Sequence, residues 1–175
     1  MAKGKFIAIG SILLMMLVIF TGCNFNKYHA EMYSTSENLV LSTFLEDNKV
    51  RGSYYKNPDY IDGEDDPADE YYYDESSPKS RTFIIDDQET FDSIFIKDKF
   101  QVDFSKKTVY LYIFADVNPS LEYYVYNVSV EEETVNIYFK LRNSNKKGST
   151  SPYQRCLIVI MDKTDTSNVE FIKQK

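Results

Sequence analysis

Two cysteines, one histidine and many carboxylates are the side chains of this chain that could take part in chemistry. The sequence has 27 Asp and Glu residues, 20 Lys and Arg residues and a formal net charge of −7. His29 is the only histidine, which excludes a zinc site with several histidine ligands, and its place in the predicted stalk argues against a histidine-based catalytic triad. No serine lies in a nucleophile-elbow context, and no glycine-rich phosphate loop is present. The sequence therefore predicts a protein that is not an enzyme and that binds no cofactor or metal.

Cys23 is the cysteine whose surroundings are most informative. It follows two early lysines, an uncharged apolar stretch over residues 6–20, and the small residues Thr21 and Gly22. This order is typical of an export signal, and the apolar stretch is shorter than the roughly 20 residues that a spanning helix needs. An uncleaved anchor and an ordinary secretory signal are alternatives, and each places residues 24–175 outside the cytoplasm.

The segment Phe20-Thr-Gly-Cys23 resembles the lipobox of bacterial lipoproteins, in which lipid is attached to the cysteine after the cleavage point. The resemblance implies that residues 1–22 are removed as a signal peptide and that Cys23 carries the lipid. The protein would then be anchored to the bacterial cell membrane on its extracytoplasmic side.

Cys156 is left without an intramolecular disulfide partner if Cys23 carries lipid. It lies in the apolar run Arg155–Met161, which is typical of a strand. Reactive cysteines need an electropositive and partly exposed setting. We therefore expect Cys156 to be a buried and unreactive thiol.

Residues 57–80 contain the most acidic segment of the chain. Between Asp59 and Glu75, nine of the seventeen side chains are carboxylates. The spacing of Asp62-Gly-Glu-Asp-Asp66 does not match an EF-hand calcium loop. Mutual repulsion and the flanking prolines instead favour an unpacked linker.

The charge is unevenly distributed along the chain. Residues 24–75 carry 13 acidic and 4 basic side chains, whereas residues 76–175 carry 14 of each. Because no basic patch is present, nucleic-acid binding is not expected. We expect residues 23–80 to form a stalk and an acidic linker that is repelled by anionic lipid headgroups, with a hairpin at residues 37–55.

The pattern of residues 81–175 predicts a small β domain. Asp86 or Asp87 is placed to cap a helix whose apolar face is Phe91, Ile94 and Phe95. Residues 108–115 are apolar on both faces, as in a central strand that is covered on both sides. The other predicted strands span residues 81–85, 121–130, 135–141, 153–161 and 169–172. The predicted fold is mainly β (α+β), a small antiparallel β-sandwich or curled sheet with one helix.

Two loops of this domain are the candidate binding surface, because recognition residues are often carried on loops. They are the proline-containing turn at residues 118–122 and the polar loop at residues 143–152. If both loops reach the same end of the sandwich, Tyr123 and Tyr153 supply aromatic anchors, unless these rings belong to the core. The candidate partner-binding residues are Asn118, Pro119, Tyr123, Ser149, Thr150, Ser151, Pro152 and Tyr153.

Four segments occur in the order Phe83–Phe91, Val102–Val109, Asn118–Tyr123 and Thr150–Tyr153. In this order they resemble the PrcB C-terminal-type domain, which is found in small exported bacterial proteins linked to stabilising a surface protease complex. The resemblance implies a protein-binding module that stabilises or regulates an extracytoplasmic partner such as a protease.

The dipeptide Asn118-Pro119 also resembles the start of the Asn-Pro-Thr-Thr-Gly loop of chagasin-type inhibitors of cysteine proteases, although the glycine is absent here. That resemblance implies a protease inhibitor as the alternative function. A lipoprotein that binds a solute or a polysaccharide is a further alternative, and a concave pocket lined by tyrosines would favour it.

Overall fold

The computed structural model describes residues 28–34, 37–117, 122–142 and 151–174. Cys23 and four of the candidate binding residues, Asn118, Pro119, Ser149 and Thr150, lie outside these ranges. Among the described residues, no helix has the length and apolar character needed to cross a membrane.

The described residues form nine strands and two short α-helices. The strands are β1 (Ala30–Tyr33), β2 (Tyr54–Lys56), β3 (Tyr71–Tyr73), β4 (Ser80–Ile85), β5 (Lys107–Asp116), β6 (Glu122–Glu131), β7 (Thr134–Arg142), β8 (Tyr153–Asp162) and β9 (Asn168–Lys173). The helices are α1 (Ser42–Asp47) and α2 (Gln88–Ile94), with 3-10 helices at Glu37–Leu39 and Pro67–Glu70. The mainly β prediction is confirmed.

Two sheets build the sandwich. The larger sheet is antiparallel with the order β1-β8-β5-β4, and the smaller has the order β6-β7-β9. Strand β9 pairs with β7 in parallel, whereas β6 and β7 are antiparallel. The edge strands of the two sheets also contact each other, β1 with β6 and β4 with β9. Strands β2 and β3 form a separate two-stranded ribbon.

Strand β5 is covered on both faces, as its residue pattern predicts. Val109, Leu111 and Ile113 belong to the core between the larger sheet and the helices. On the other face, Tyr110 and Phe114 pack against the smaller sheet. The fold therefore has three layers, with the larger sheet in the middle. In this arrangement neither face of the central strand β5 is exposed to solvent.

Helix α2 forms as the capping pattern predicts. The Asp87 carboxylate accepts a hydrogen bond of 2.8 Å from the backbone N–H of Thr90 and so satisfies a donor of the first turn. Phe91, Ile94 and Phe95 are at most 4% exposed and pack on the larger sheet. The apolar face of the helix is thus buried, and the prediction is confirmed.

The hairpin expected over residues 37–55 is wrong. Residues 42–47 form helix α1, and Phe44 and Leu45 of this helix pack against the core. The ring of Phe44 lies 5.1 Å from that of Phe83 in an edge-on arrangement. A helix of six residues completes fewer than two turns, so its apolar residues show no helical repeat in the sequence.

The structure also corrects the expected stalk and linker over residues 23–80. Strand β1 pairs with β8 along its whole length, from Ala30 opposite Met161 to Tyr33 opposite Ile158. Val40 and Val50 are at most 2% exposed and belong to the main core. The folded domain therefore includes residues well before residue 81.

The acidic segment contains one carboxylate, that of Asp74, which is buried and hydrogen-bonded. The Asp74 carboxylate accepts hydrogen bonds from the backbone N–H groups of Ser76 (2.7 Å) and Ser77 (3.0 Å) and from both serine hydroxyls. These bonds, led by that of the Ser77 hydroxyl, lower the pKa of Asp74 to about 2. Repulsion is limited because the carboxylates of residues 59–69 are exposed to solvent.

Candidate protein-binding end of the sandwich

The strand ends that flank the two candidate loops converge. Asp116, the last residue of β5, is the Cα partner of Tyr153, the first residue of β8. In the smaller sheet, Glu122 at the start of β6 is the partner of Arg142 at the end of β7. The described strand ends that flank residues 118–121 and 143–150 therefore lie at the same end of the sandwich, which we call the loop end.

Tyr123 links the two sheets at the loop end. Its hydroxyl donates a hydrogen bond to the Asp116 carboxylate and accepts one of 3.1 Å from the Lys173 ammonium. Burial and the hydrogen bond to Asp116 raise the pKa of Tyr123. Because the residue is 3% exposed, Tyr123 is a core residue, and its candidate role as an exposed anchor is corrected.

Arg155 is a buried cation in the same cluster. The residue is 1% exposed, and its guanidinium carbon lies 5.7 Å from the centroid of the Tyr123 ring. A guanidinium nitrogen donates a hydrogen bond to the backbone carbonyl of Ser34, directly after β1. The cluster thus connects strands of both sheets at the loop end and stabilises their arrangement.

Residues 151–153 form the described part of the second loop and the start of β8. Ser151 is exposed, and Pro152 is half-buried with its carbonyl accepting a hydrogen bond of 3.0 Å from the Tyr54 backbone N–H. Tyr153 is half-buried, and its hydroxyl oxygen is shielded from solvent. Ser151 is therefore the most accessible of the described candidate residues.

The two-stranded ribbon lies beside the loop end, in a segment where the sequence predicts mostly an unpacked linker. We call residues 54–56 and 71–73 the tyrosine ribbon. Its side chains Tyr54, Tyr71 and Tyr73 are 43%, 52% and 45% exposed. The signal was present as clustered tyrosines on both sides of an acidic turn, but the charge of that turn favoured a linker.

Cys156 lies on the face of β8 that points to the main core. It is 0% exposed and packs with Val109, Leu111 and Ile158, among other apolar residues. The expected burial of this thiol is confirmed. Among the described residues, no group of three or more His, Cys, Asp or Glu side chains is placed to hold a metal ion.

The described part of the chain has surface grooves, and two of them bear on the solute-binding alternative. One, of about 350 Å³, lies between β4 and β9 and includes Thr82 and Asn168. The other, of about 400 Å³, lies beside α2 and includes Phe91 and Phe100. Neither groove is lined by a tyrosine, so neither has the lining expected of a polysaccharide or solute pocket in this chain.

No family model, curated protein or solved structure matches this chain.

Proposed function

We propose that this protein is an extracytoplasmic lipoprotein that is held to the bacterial cell membrane by lipid on Cys23. Its β-sandwich binds another protein, and the protein is not an enzyme. The observation that carries the binding role is that the strand ends flanking the two candidate loops lie at one end of the sandwich. The anchor is supported by the leader sequence, with its lysines, its apolar stretch and the Gly22-Cys23 pair.

The buried cluster beneath the loop end supports a binding role because it holds the strand ends in place. Tyr123 is hydrogen-bonded to Asp116 on β5 and to Lys173 on β9, and Arg155 reaches the chain after β1. Loops that leave from fixed strand ends lose less conformational entropy when they bind. Pro119 and Pro152 add to this effect by restricting the backbone of the loops themselves.

Exposed apolar side chains near the loop end offer contact area to a protein partner. Val117, directly after β5, is 52% exposed, and Tyr54 is 43% exposed beside Pro152. Tyrosine is enriched in the centres of protein–protein interfaces because its ring gives a large contact area at low entropic cost. The resemblance to the PrcB C-terminal-type domain supports a membrane-associated protease complex as the partner.

Site-specific photocrosslinking in intact cells tests the proposal. A photoreactive amino acid is placed at Val117 or Ser151, at the loop end, or at Glu132 or Asp165, in turns at the opposite end of the sandwich. All four positions are exposed or lie in exposed turns, so accessibility is matched. We expect the loop-end positions to crosslink to one and the same protein and the opposite positions not to do so.

Equal crosslinking from both ends, or none from the loop end, would overturn the proposal. If the crosslinked partner is a protease, its activity with and without this protein separates a stabilising role from the alternative of inhibition. Loss of activity on addition of the protein would favour the chagasin-like alternative, and retained or prolonged activity would favour stabilisation.

A further inference from the structure

The tyrosine ribbon has an inner face that already binds a cation. The pairing of Tyr54 with Tyr73 and of Tyr55 with Tyr72 places successive side chains on opposite faces of the ribbon. On the inner face, the Lys49 ammonium lies 5.3 Å from the ring centroids of both Tyr55 and Tyr72. The same ammonium donates a hydrogen bond of 2.6 Å to the Tyr72 hydroxyl. The protein thus supplies its own cation to this pair of rings.

The outer face presents three further rings together with one cation of the chain, the exposed Lys56. The ring centroids of Tyr54 and Tyr73 lie 5.1 Å apart. Tyr71, the cross-strand partner of Lys56, lies on the same face. Among the residues that the structure describes, no Lys or Arg side chain lies over any of these three rings. Their exposed π-faces are therefore open to a cation from outside the chain.

The acidic tip, which we define as residues 57–70, continues directly from the ribbon. It contains no Lys or Arg. Within the described residues, the ion pairs involve none of its side chains. Its exposed carboxylates are Asp59, Asp62, Glu64, Asp65, Asp66 and Asp69. Such a density of negative charge attracts cationic groups and raises the rate at which they associate.

We infer that the outer face of the tyrosine ribbon and the acidic tip together bind an arginine-bearing segment of the partner protein. Arginine fits better than lysine because its planar guanidinium stacks on aromatic rings while it pairs with carboxylates. The inference rests on the proposed function, since it specifies the chemistry of the protein that the loop end contacts. It also gives a role to the segment that charge alone had assigned to a linker.

The test measures binding of a synthetic peptide of alternating arginine and glycine to the full-length protein in detergent micelles, by titration calorimetry. A peptide of equal length with citrulline in place of arginine keeps the shape and removes the charge. We expect the arginine peptide to bind and the citrulline peptide not to bind. Added salt should weaken the binding because the tip carboxylates are exposed.

Matched variants separate stacking on the ribbon from general attraction to an acidic protein. Tyr71→Ala should weaken binding of the arginine peptide by about two- to fivefold, the effect of one exposed cation–π contact. Tyr126→Ala removes a ring of similar exposure on β6, 55% against 52%, whose face is already occupied by Lys140 at 3.9 Å. We expect the Tyr126 variant to bind as the unaltered protein does.

A second pair of variants has equal net charge. Asp59→Asn/Asp62→Asn removes two charges from the acidic tip, and Glu132→Gln/Asp165→Asn removes two exposed charges elsewhere. We expect the change in net charge to weaken binding of the arginine peptide slightly in both variants. The tip variant should lose more affinity than the control variant. Equal losses in the two variants, or unchanged binding in Tyr71→Ala, would overturn the inference.

These outcomes are independent of the crosslinking test of the loop end. If the loop end crosslinks a partner and Tyr71→Ala binds the peptide normally, the proposed function stands and the inference fails. If the peptide binds at the ribbon and no protein crosslinks at the loop end, the proposed function fails and the ribbon is the only binding surface supported.

Discussion

The hydroxyl of Tyr123 donates a hydrogen bond to the carboxylate of Asp116, and this contact joins the two sheets at the end from which both candidate loops leave. Both residues are buried, at 3% and 9% exposure. A charge-assisted hydrogen bond in such a setting is stronger than one between neutral groups. The pair therefore holds the end of β5 against the start of β6.

Tyr123→Phe should destabilise the protein by about 1–3 kcal/mol, because it removes a hydrogen bond that the buried Asp116 carboxylate accepts. Tyr126→Phe, on the same strand but 55% exposed, is the matched control and should change stability by less than about 0.5 kcal/mol. Urea unfolding of both variants measures the difference. Similar stabilities for the two would show that the hydroxyl of Tyr123 contributes little.

Asp74 should make the fold sensitive to acid. Its pKa in the folded protein, about 2, lies below the ordinary value of 3.8. The carboxylate therefore contributes stability that is present above about pH 4 and is lost as the pH falls through about 2. Asp74→Asn should cost about 1–3 kcal/mol at neutral pH, and the gap between variant and unaltered protein should narrow between pH 4 and pH 2.

Thermal unfolding at a series of pH values provides this measurement, and Glu75→Gln, at the exposed neighbouring position, is the control. The control should follow the unaltered protein at every pH. A gap for Asp74→Asn that stays constant down to pH 2 would contradict the assignment of the lowered pKa.

Asp87→Ala should destabilise the protein by about 0.5–2 kcal/mol, since it removes the cap of helix α2. The carboxylate of Asp87 accepts hydrogen bonds from both the backbone N–H and the hydroxyl of Thr90. Asp86→Ala removes an exposed neighbouring carboxylate that does not cap the helix and should have little effect. Chemical denaturation distinguishes the two, and equal losses would mean that charge rather than capping is responsible.

Cleavage at the exposed Glu64 in the acidic tip should leave two fragments that stay together under native conditions. Residues before the cut include β1, which pairs with β8, and Val40 and Val50, which are buried in the main core. Size-exclusion chromatography after limited digestion with a glutamate-specific protease measures this association. If the fragments separate and the fragment that begins after Glu64 stays folded by itself, the sequence-based boundary at residue 81 is correct after all.

Labelling of cells with a fatty-acid probe should mark the protein through Cys23. Cys23→Ser should abolish the label, whereas Cys156→Ala should retain it because that thiol is 0% exposed in the core. Gel fluorescence after coupling of a dye to the probe provides the readout. A label that persists in Cys23→Ser would rule out lipidation at this cysteine.

The strands after residue 80 could be predicted because their information is local. In β5, Val109 and Tyr110 begin an alternation that assigns each side chain to a face, and the structure confirms both faces. The sequence likewise limited the cap of α2 to Asp86 or Asp87, and the structure assigns it to Asp87. Strands of nine or ten residues, such as β7 and β8, carry enough periods for such a pattern to be read.

The roles of the early residues were decided by contacts that are distant in sequence. Strand β1 has four residues, and its place in the larger sheet depends on pairing with β8 more than a hundred residues later. The tyrosine ribbon has three residues in each strand. Its backbone contact, from Tyr54 to Pro152, also joins residues that are far apart in the sequence. Such short strands have little periodicity of their own, and partners far along the chain stabilise them.

By itself, the sequence determined the mainly β character of the domain and the capped helix, because these follow from composition and local side-chain spacing. Only the tertiary structure decided that Tyr123 is buried on Asp116, that the flanks of the two loops meet, and that the acidic segment is part of a folded ribbon. The reason is that burial and charge pairing depend on which strands become neighbours. That choice is made by the packing of the whole chain.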